Sequence, residues 1–220
     1  MLRSEDNRAI QPRRVYIGTE TTGLYPDAGD ELLSLAVTDE EGKTLFNERF
    51  RPESKREWPA AYAVNHISFE DVSDTPTFAE RAGASARAIG DGSEVCGYNV
   101  AFDLVFLAAA GLDVSSYKKL DAANLFMTAA GEKSEGRRFL QTEAADMIGY
   151  ERDGPAHDAL ADVQAHRAIT EWAEPVVETM RTVTDEPMPR CRPRPTPRRG
   201  KSPRASWTAC SGRSFSTRRA

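Results

Sequence analysis

Hydrophobic and polar positions first fall into a regular order at Val15. On an extended chain successive side chains point to opposite sides, so Val15, Ile17 and Thr19 share one face while Tyr16, Gly18 and Glu20 share the other. The run VYIGTE (15–20) passes into TTGL, and an apolar, β-branched run closing at Gly23 reads as a strand entering a turn. LLSLAVT (32–38) and KTLFNERF (43–50) read as two more strands, joined through the turn signal DEEG. Together they predict an antiparallel meander.

The period then lengthens. In TFAERAGASARAIG (77–90), Phe78, Ala82, Ala86 and Ile89 recur at helical spacing. EVCGY (94–98) reads as a short buried strand, after which Asn99 can cap a helix over 101–111. Phe102, Val105 and Phe106 are expected to form the buried stripe of that helix. Residues 139–150 predict a further helix with Leu140, Ala144, Met147 and Ile148 on one side. The loop ERDGPAHD (151–158) is irregular, and a long helix follows from Ala159 with Leu160, Val163, Ile169, Trp172, Val176 and Met180 as its stripe. Pro175 is expected to kink or restart it. Meander, helix, strand and helices in that order predict an α/β fold, a mixed sheet flanked by helices. There is no internal repeat.

Composition adds limits. The chain has 220 residues, 40% of them hydrophobic, enough for one core. No apolar run approaches the roughly 20 residues of a spanning helix, so no membrane partner is expected. The start, MLRSEDNRAIQPRR, has no apolar stretch of the signal-peptide kind, and Cys96, Cys191 and Cys210 are too scattered for a metal site. A cytoplasmic protein with free thiols is the expectation. The net charge of -5 conceals an asymmetry, because ten Lys or Arg and no acid lie from Met188 onward. Positions 1–187 therefore carry 19 basic against 34 acidic residues, a charge of -15 that repels a polyanion at long range. The expected organisation is an N-terminal extension over 1–12, a folded domain over 13–183, and a disordered Arg/Pro-rich tail over 184–220. The tail reads either as a basic arm for nucleic acid or as a solvated extension.

Three acidic segments carry candidate chemistry. Glu20 ends the first strand, where a buried carboxylate is costly unless exposed, paired or bound to metal. Asp103 lies one turn into its helix, where the helix dipole alone would also favour an acid. In HDALADVQAHRAI (157–169), Asp158 makes a good N-cap, leaving His157 on the preceding loop and Asp162 in the second turn. A loop histidine can then reach the carboxylate that the helix holds. His166 lies deeper in that helix and reads as structural or surface-exposed.

Taken in order, GTETTGL (18–24), GYNVAFDLVFL (97–107) and HDALADVQAHRAI (157–169) resemble the three motifs of the DEDDh 3′–5′ exonuclease family, a branch of the ribonuclease H-like superfamily. NHISFEDVSDTPTF (65–78) is similar to the family's connecting segment, and the resemblance spans about residues 13 to 180. It implies a ribonuclease H-like mixed sheet and hydrolysis of DNA or RNA from a single-stranded 3′ end. It also implies two divalent cations, Mg²⁺ or Mn²⁺, and, in some members, a DNA polymerase subunit as partner. Carried over by motif, Glu20, Asp103 and Asp162 are the metal ligands and His157 the general base. Thr21, Thr22 and Leu24 line the terminal nucleotide.

The chain departs from the family pattern at Gly18, where the motif has the aspartate that bridges both metals. Two dications about 4 Å apart repel by roughly 17 kcal/mol at an effective dielectric of about 20, and the bridging carboxylate offsets much of this. Hydrolysis is expected to be impaired, and an inert module that binds nucleic-acid ends or a polymerase partner is the alternative. Because Gly18 shares the strand face of Glu20, an aspartate there is expected to enter the site with no change of backbone. A second departure is Tyr98, where many members have His.

Overall fold

The computed structural model describes residues 13–131, 138–152, 154 and 157–185. The N-terminal extension and residues 186–220 of the basic tail lie outside the described residues, while positions 184 and 185, expected in the tail, end the last helix. Five strands form one sheet in the order β3-β2-β1-β4-β5. β1 (Arg14–Thr21), β2 (Leu32–Thr38) and β3 (Thr44–Arg49) make the expected antiparallel meander. β4 (Glu94–Gly97) and β5 (Lys118–Asp121) add parallel to the other edge of β1. This is the mixed sheet flanked by helices that the pattern predicts.

The alternation in β1 sorts the core into two layers. Val15 and Ile17 face α2 (Phe78–Ile89) and α3 (Val100–Ala109), packing among Phe50, Phe78, Ile89, Leu104 and Leu107. Tyr16 faces α4 (Ala122–Ala130), α5 (Gln141–Ile148) and α6 (Ala159–Asp185), among Phe126, Ala144, Val163 and Ile169. With both faces covered, every residue of β2 is buried, as an apolar run such as LLSLAVT requires. A small third cluster under the loop after β3 joins Leu33 to Trp58, at the head of α1 (Pro59–Asn65), and to Ile67 and Val72. Among the described residues no helix is long and apolar enough to cross a membrane.

Four expectations are corrected. Val105 is exposed, because α3 turns Val100, Leu104 and Leu107 inward and leaves Phe102 half-buried against Phe106. Asn99 stands at the N-cap of α3, but in a left-handed conformation and with no capping bond from its side chain. Leu140 and Met147 are exposed: α5 starts at Gln141, two residues later than expected, and meets its neighbours through Ala144 and Ala145. Pro175 does not restart the helix but lies inside a continuous α6. There the flanking Ala173 and Val177 are packed with Ala129 of α4, and tertiary contact compensates for the missing backbone bond. The unread stretch before 139 holds β5 and α4. KKLD is a polar edge strand without period, and Asp121 caps α4 by accepting from the Asn124 amide at 3.0 Å.

The layering predicts that Ile17→Ala costs about 2–5 kcal/mol of stability, whereas Leu140→Ala changes it by less than about 0.5 kcal/mol. Urea denaturation of the two variants measures both, and equal losses would contradict the assignment of faces.

Candidate active site

The site begins where β4 stops. β1 pairs with β4 only over Arg14–Tyr16 and then runs on to Thr21, so its amides beyond that point need other acceptors. The Asp103 carboxylate supplies one. Its Oδ1 accepts from the Thr19 amide at 3.0 Å and from the Thr19 hydroxyl at 2.8 Å. α3 packs on the Ile17 layer, and its first turn meets the end of β4, where Val100 Cα would stand 3.4 Å from a Cβ at Gly97, so that Asp103 reaches Thr19 on the same face of β1. Gly97 lies beside this contact, where a Cβ would stand 3.4 Å from Asp103 Oδ2 and, more tightly, 3.3 Å from the Ile17 carbonyl.

α6 approaches from the other layer. Asp158 Oδ1 accepts from the Ala161 amide at 3.0 Å, capping the helix as expected. His157 remains outside it, with φ of +64°, and Asp162 falls in the second turn. Ligand atoms of Glu20, His157 and Asp162 all lie within 4.8 Å of one another. Asp103 lines the same cleft, of about 120 Å³, with Gly18, Glu20, Asp162, Gln141 and His166. Asn65 holds the end of β1 in place, its Nδ2 donating to the Thr21 carbonyl at 3.1 Å.

Burial and mutual repulsion govern the charges. Burial, then the charges of Asp162 and Asp103, push Glu20 up to about 8. Burial raises Asp103 to about 7 against its bonds to Thr19. Asp162 is raised by burial, and the Arg152 guanidinium opposes the shift. Arg152 Nη1 donates to Asp162 Oδ1, while its Nη2 is buried and has no partner among the described residues. His166 is buried rather than surface-exposed. Its Nδ1 meets the Ile17 carbonyl at 3.1 Å, and burial lowers it to about 4.

Gly18 is closed in. A Cβ at this position would stand 3.0 Å from Val163 Cγ2 and 3.2 Å from the Ala159 carbonyl. The expectation that an aspartate enters with no change of backbone is therefore corrected: α6 must give by a few tenths of an ångström. Asp30, in the loop after β1, is paired with Lys55 and accepts from the Tyr25 amide at 2.9 Å, so it is committed elsewhere. The three substrate-lining candidates divide. Thr21 and Thr22 are buried, with hydroxyls spent on the turn: Thr21 donates to the Gly23 carbonyl and Thr22 Oγ1 accepts from the Glu31 amide. Leu24 stands 66% exposed beside the exposed Tyr25, an apolar pair open to a ligand. Tyr98, at the second departure, donates its hydroxyl to the Phe139 carbonyl at 2.7 Å.

The carboxylates of Glu20 and Asp162, with Asp103 in the same cleft and His157 beside them, fit one divalent cation, which would relieve the repulsion that adds to burial in raising Glu20. For a second cation, position 18 offers no side-chain oxygen. Sequence reasoning missed Arg152, Asn65 and Gln141, whose Nε2 donates to the Asp162 carbonyl at 2.9 Å. The one available signal was Arg152 as the sole cation in the loop before His157.

The class these features define is a ribonuclease H-like α/β domain with an acidic cleft at the strand ends. The chain belongs to the RNase T exonuclease family: that family's profile, described as Exonuclease, matches residues 15–170. It is 32% identical over 100 residues to the DNA polymerase III subunit epsilon of Rickettsia typhi, a match covering 43% of this chain and 42% of that one. An uncharacterized exonuclease of Escherichia phage 186 is 29% identical over 167 residues, covering 70% of this chain and 84% of the relative. The chain thus spans less than half of the epsilon subunit it matches. Exonuclease I shares the fold at a TM-score of 0.60 and 21% identity, over 78% of this chain and 44% of that structure. Cell-death related nuclease 4 does so at 0.56 and 14% identity, over 72% and 62%.

Two outcomes follow from this geometry. Glu20 titrates at about 8 in the fold against an ordinary 4.5, so the folded chain binds more protons than the unfolded one within that window. Metal-free stability therefore falls as pH rises through it, and Mg²⁺ stabilises more at the alkaline end. Melting curves with EDTA or Mg²⁺ across pH measure this; a Glu20→Gln variant with an unchanged slope would remove Glu20 as the cause. Secondly, Gly18→Asp costs about 1–3 kcal/mol in the metal-free protein through overpacking, and adding Val163→Ala restores part of it. Chemical denaturation reads both changes.

Proposed function

We propose that the chain is a metal-dependent 3′–5′ exonuclease that releases nucleoside monophosphates from single-stranded DNA or RNA 3′ ends. The observation that carries this reading is the convergence of Glu20, His157 and Asp162 within 4.8 Å, with Asp103 in the same cleft. Glu20, Asp162 and Asp103 would hold Mg²⁺ or Mn²⁺, which when bound supplies an acidified water and neutralises charge at the phosphate. His157 takes the proton from the attacking water as its oxygen bonds to phosphorus. The bond from phosphorus to the 3′ oxygen breaks, and that oxygen leaves with the electron pair and takes a proton from solvent. Leu24 packs against the terminal nucleotide, and residues 13–183 act as the exonuclease domain.

Gly18 favours a second reading, in which the domain is inert and binds nucleic-acid ends or a polymerase partner. It withholds the oxygen that would bridge two cations and lowers the rate under the first reading. One experiment separates the two. Single-stranded DNA and RNA labelled at either end are incubated with the chain and Mg²⁺ or Mn²⁺. Early release of mononucleotide from the 3′ label, reduced at least about a hundredfold by His157→Ala or Asp162→Asn, supports hydrolysis. Cleavage that survives Asp162→Asn, or none with either metal, defeats it in favour of binding.

A further inference from the structure

The geometry points to Arg152 as the second cation of this site, a phosphate-binding residue that works beside a single divalent ion. The inference rests on the exonuclease reading and specifies how the site manages with Gly18.

Charge gives the first argument. Four carboxylates carry -4, which two divalent cations balance. Here, once a cation ionises them, Glu20, Asp103 and Asp162 carry -3, and Arg152, bonded to Asp162, leaves -2. One divalent ion balances that remainder. Relative to a four-carboxylate site, Gly18 removes one negative charge and Arg152 adds one positive, and together these equal the charge of the ion dispensed with.

Space gives the second. Position 18 supplies no ligand and is tight for one, because Val163 and the Ala159 carbonyl stand 3.0 and 3.2 Å from where a Cβ would be. A side chain there requires α6 to shift, so the site as it stands is built without a bridging carboxylate.

The third argument is an unmet donor. Arg152 spends Nη1 on Asp162, yet its Nη2 is buried with no acceptor among the described residues. Leaving a charged donor unpaired in a buried place is costly. A non-bridging phosphate oxygen meets that need, since a guanidinium presents its donors as a planar fork suited to phosphate. Arg152 changes none of the bonds made or broken in hydrolysis. It holds the phosphate and offsets charge gathering on it, as the absent ion otherwise would.

The test uses the full chain with Mn²⁺ and thymidine 5′-monophosphate as the probe. Electron paramagnetic resonance titration is expected to count one bound Mn²⁺ per wild-type chain at saturating nucleotide. Arg152→Met keeps the aliphatic stem and is expected to weaken nucleotide binding in Mn²⁺ by at least about tenfold, the effect of losing a charge-assisted hydrogen bond. Arg152→Lys keeps the charge but not the fork and recovers part of it. Two Mn²⁺ per wild-type chain, or unchanged nucleotide affinity in Arg152→Met, overturns the inference. Should Arg152→Met fail to fold, the wild-type stoichiometry and Arg152→Lys still decide. Hydrolysis with two bound ions would defeat Arg152 and leave the exonuclease reading intact. One ion with Arg152-dependent nucleotide binding, but no hydrolysis, would do the reverse.

Discussion

Like charges held together in a buried cleft are the constraint to which the rest of this structure answers. Glu20, Asp103 and Asp162 come from a strand and two helices on opposite faces of the sheet; burial raises the proton affinity of all three, and repulsion adds to it at Glu20 and Asp103. Nothing local would keep them there. Asp103 is tied to Thr19 by two hydrogen bonds, Asp162 to Arg152, and the end of β1 to Asn65. The two hydrophobic layers anchor the elements on which these groups ride. The free energy of the core thus holds an arrangement that electrostatics opposes, and a bound cation turns that opposition into affinity.

The parallel and antiparallel halves of the sheet meet at β1, and the site lies at that junction because backbone donors become available there. β4 ends at Gly97 while β1 continues, and the freed Thr19 amide is what Asp103 captures. Two glycines lie nearby. Gly97 eases the contact of its strand with the Ile17 carbonyl, and Gly18 lets α6 lie closer to β1 than a side chain allows. The same helix that carries Asp162 to the cleft thereby packs tightly against the position where a fourth carboxylate would branch from the strand. Loss of a ligand and closer packing are one feature seen from two sides.

Much of this was legible in the residue order. The alternation from Val15 to Glu20 gave both faces of β1, and Asp158 as an N-cap correctly separated loop His157 from helical Asp162. Helical stripes were read less well. Val105, Leu140 and Met147 match an apolar pattern but face solvent, because which arc of a helix is buried depends on what lies beside it. β5 escaped notice since a short polar edge strand has no periodic signature.

By itself the sequence determined the order of elements, the strand faces, the family and the identity of the acidic groups, because these follow from local periodicity and from residue types in fixed succession. It also determined that Gly18 supplies no ligand. Only the tertiary structure decided that Arg152 stands against Asp162, that the Thr21 and Thr22 hydroxyls are spent within the turn, and that α6 closes over Gly18. These are contacts between elements distant in the chain or between side chains and the backbone of a fold already formed. No period or spacing along the sequence encodes the distance between two surfaces that meet only when the core is packed.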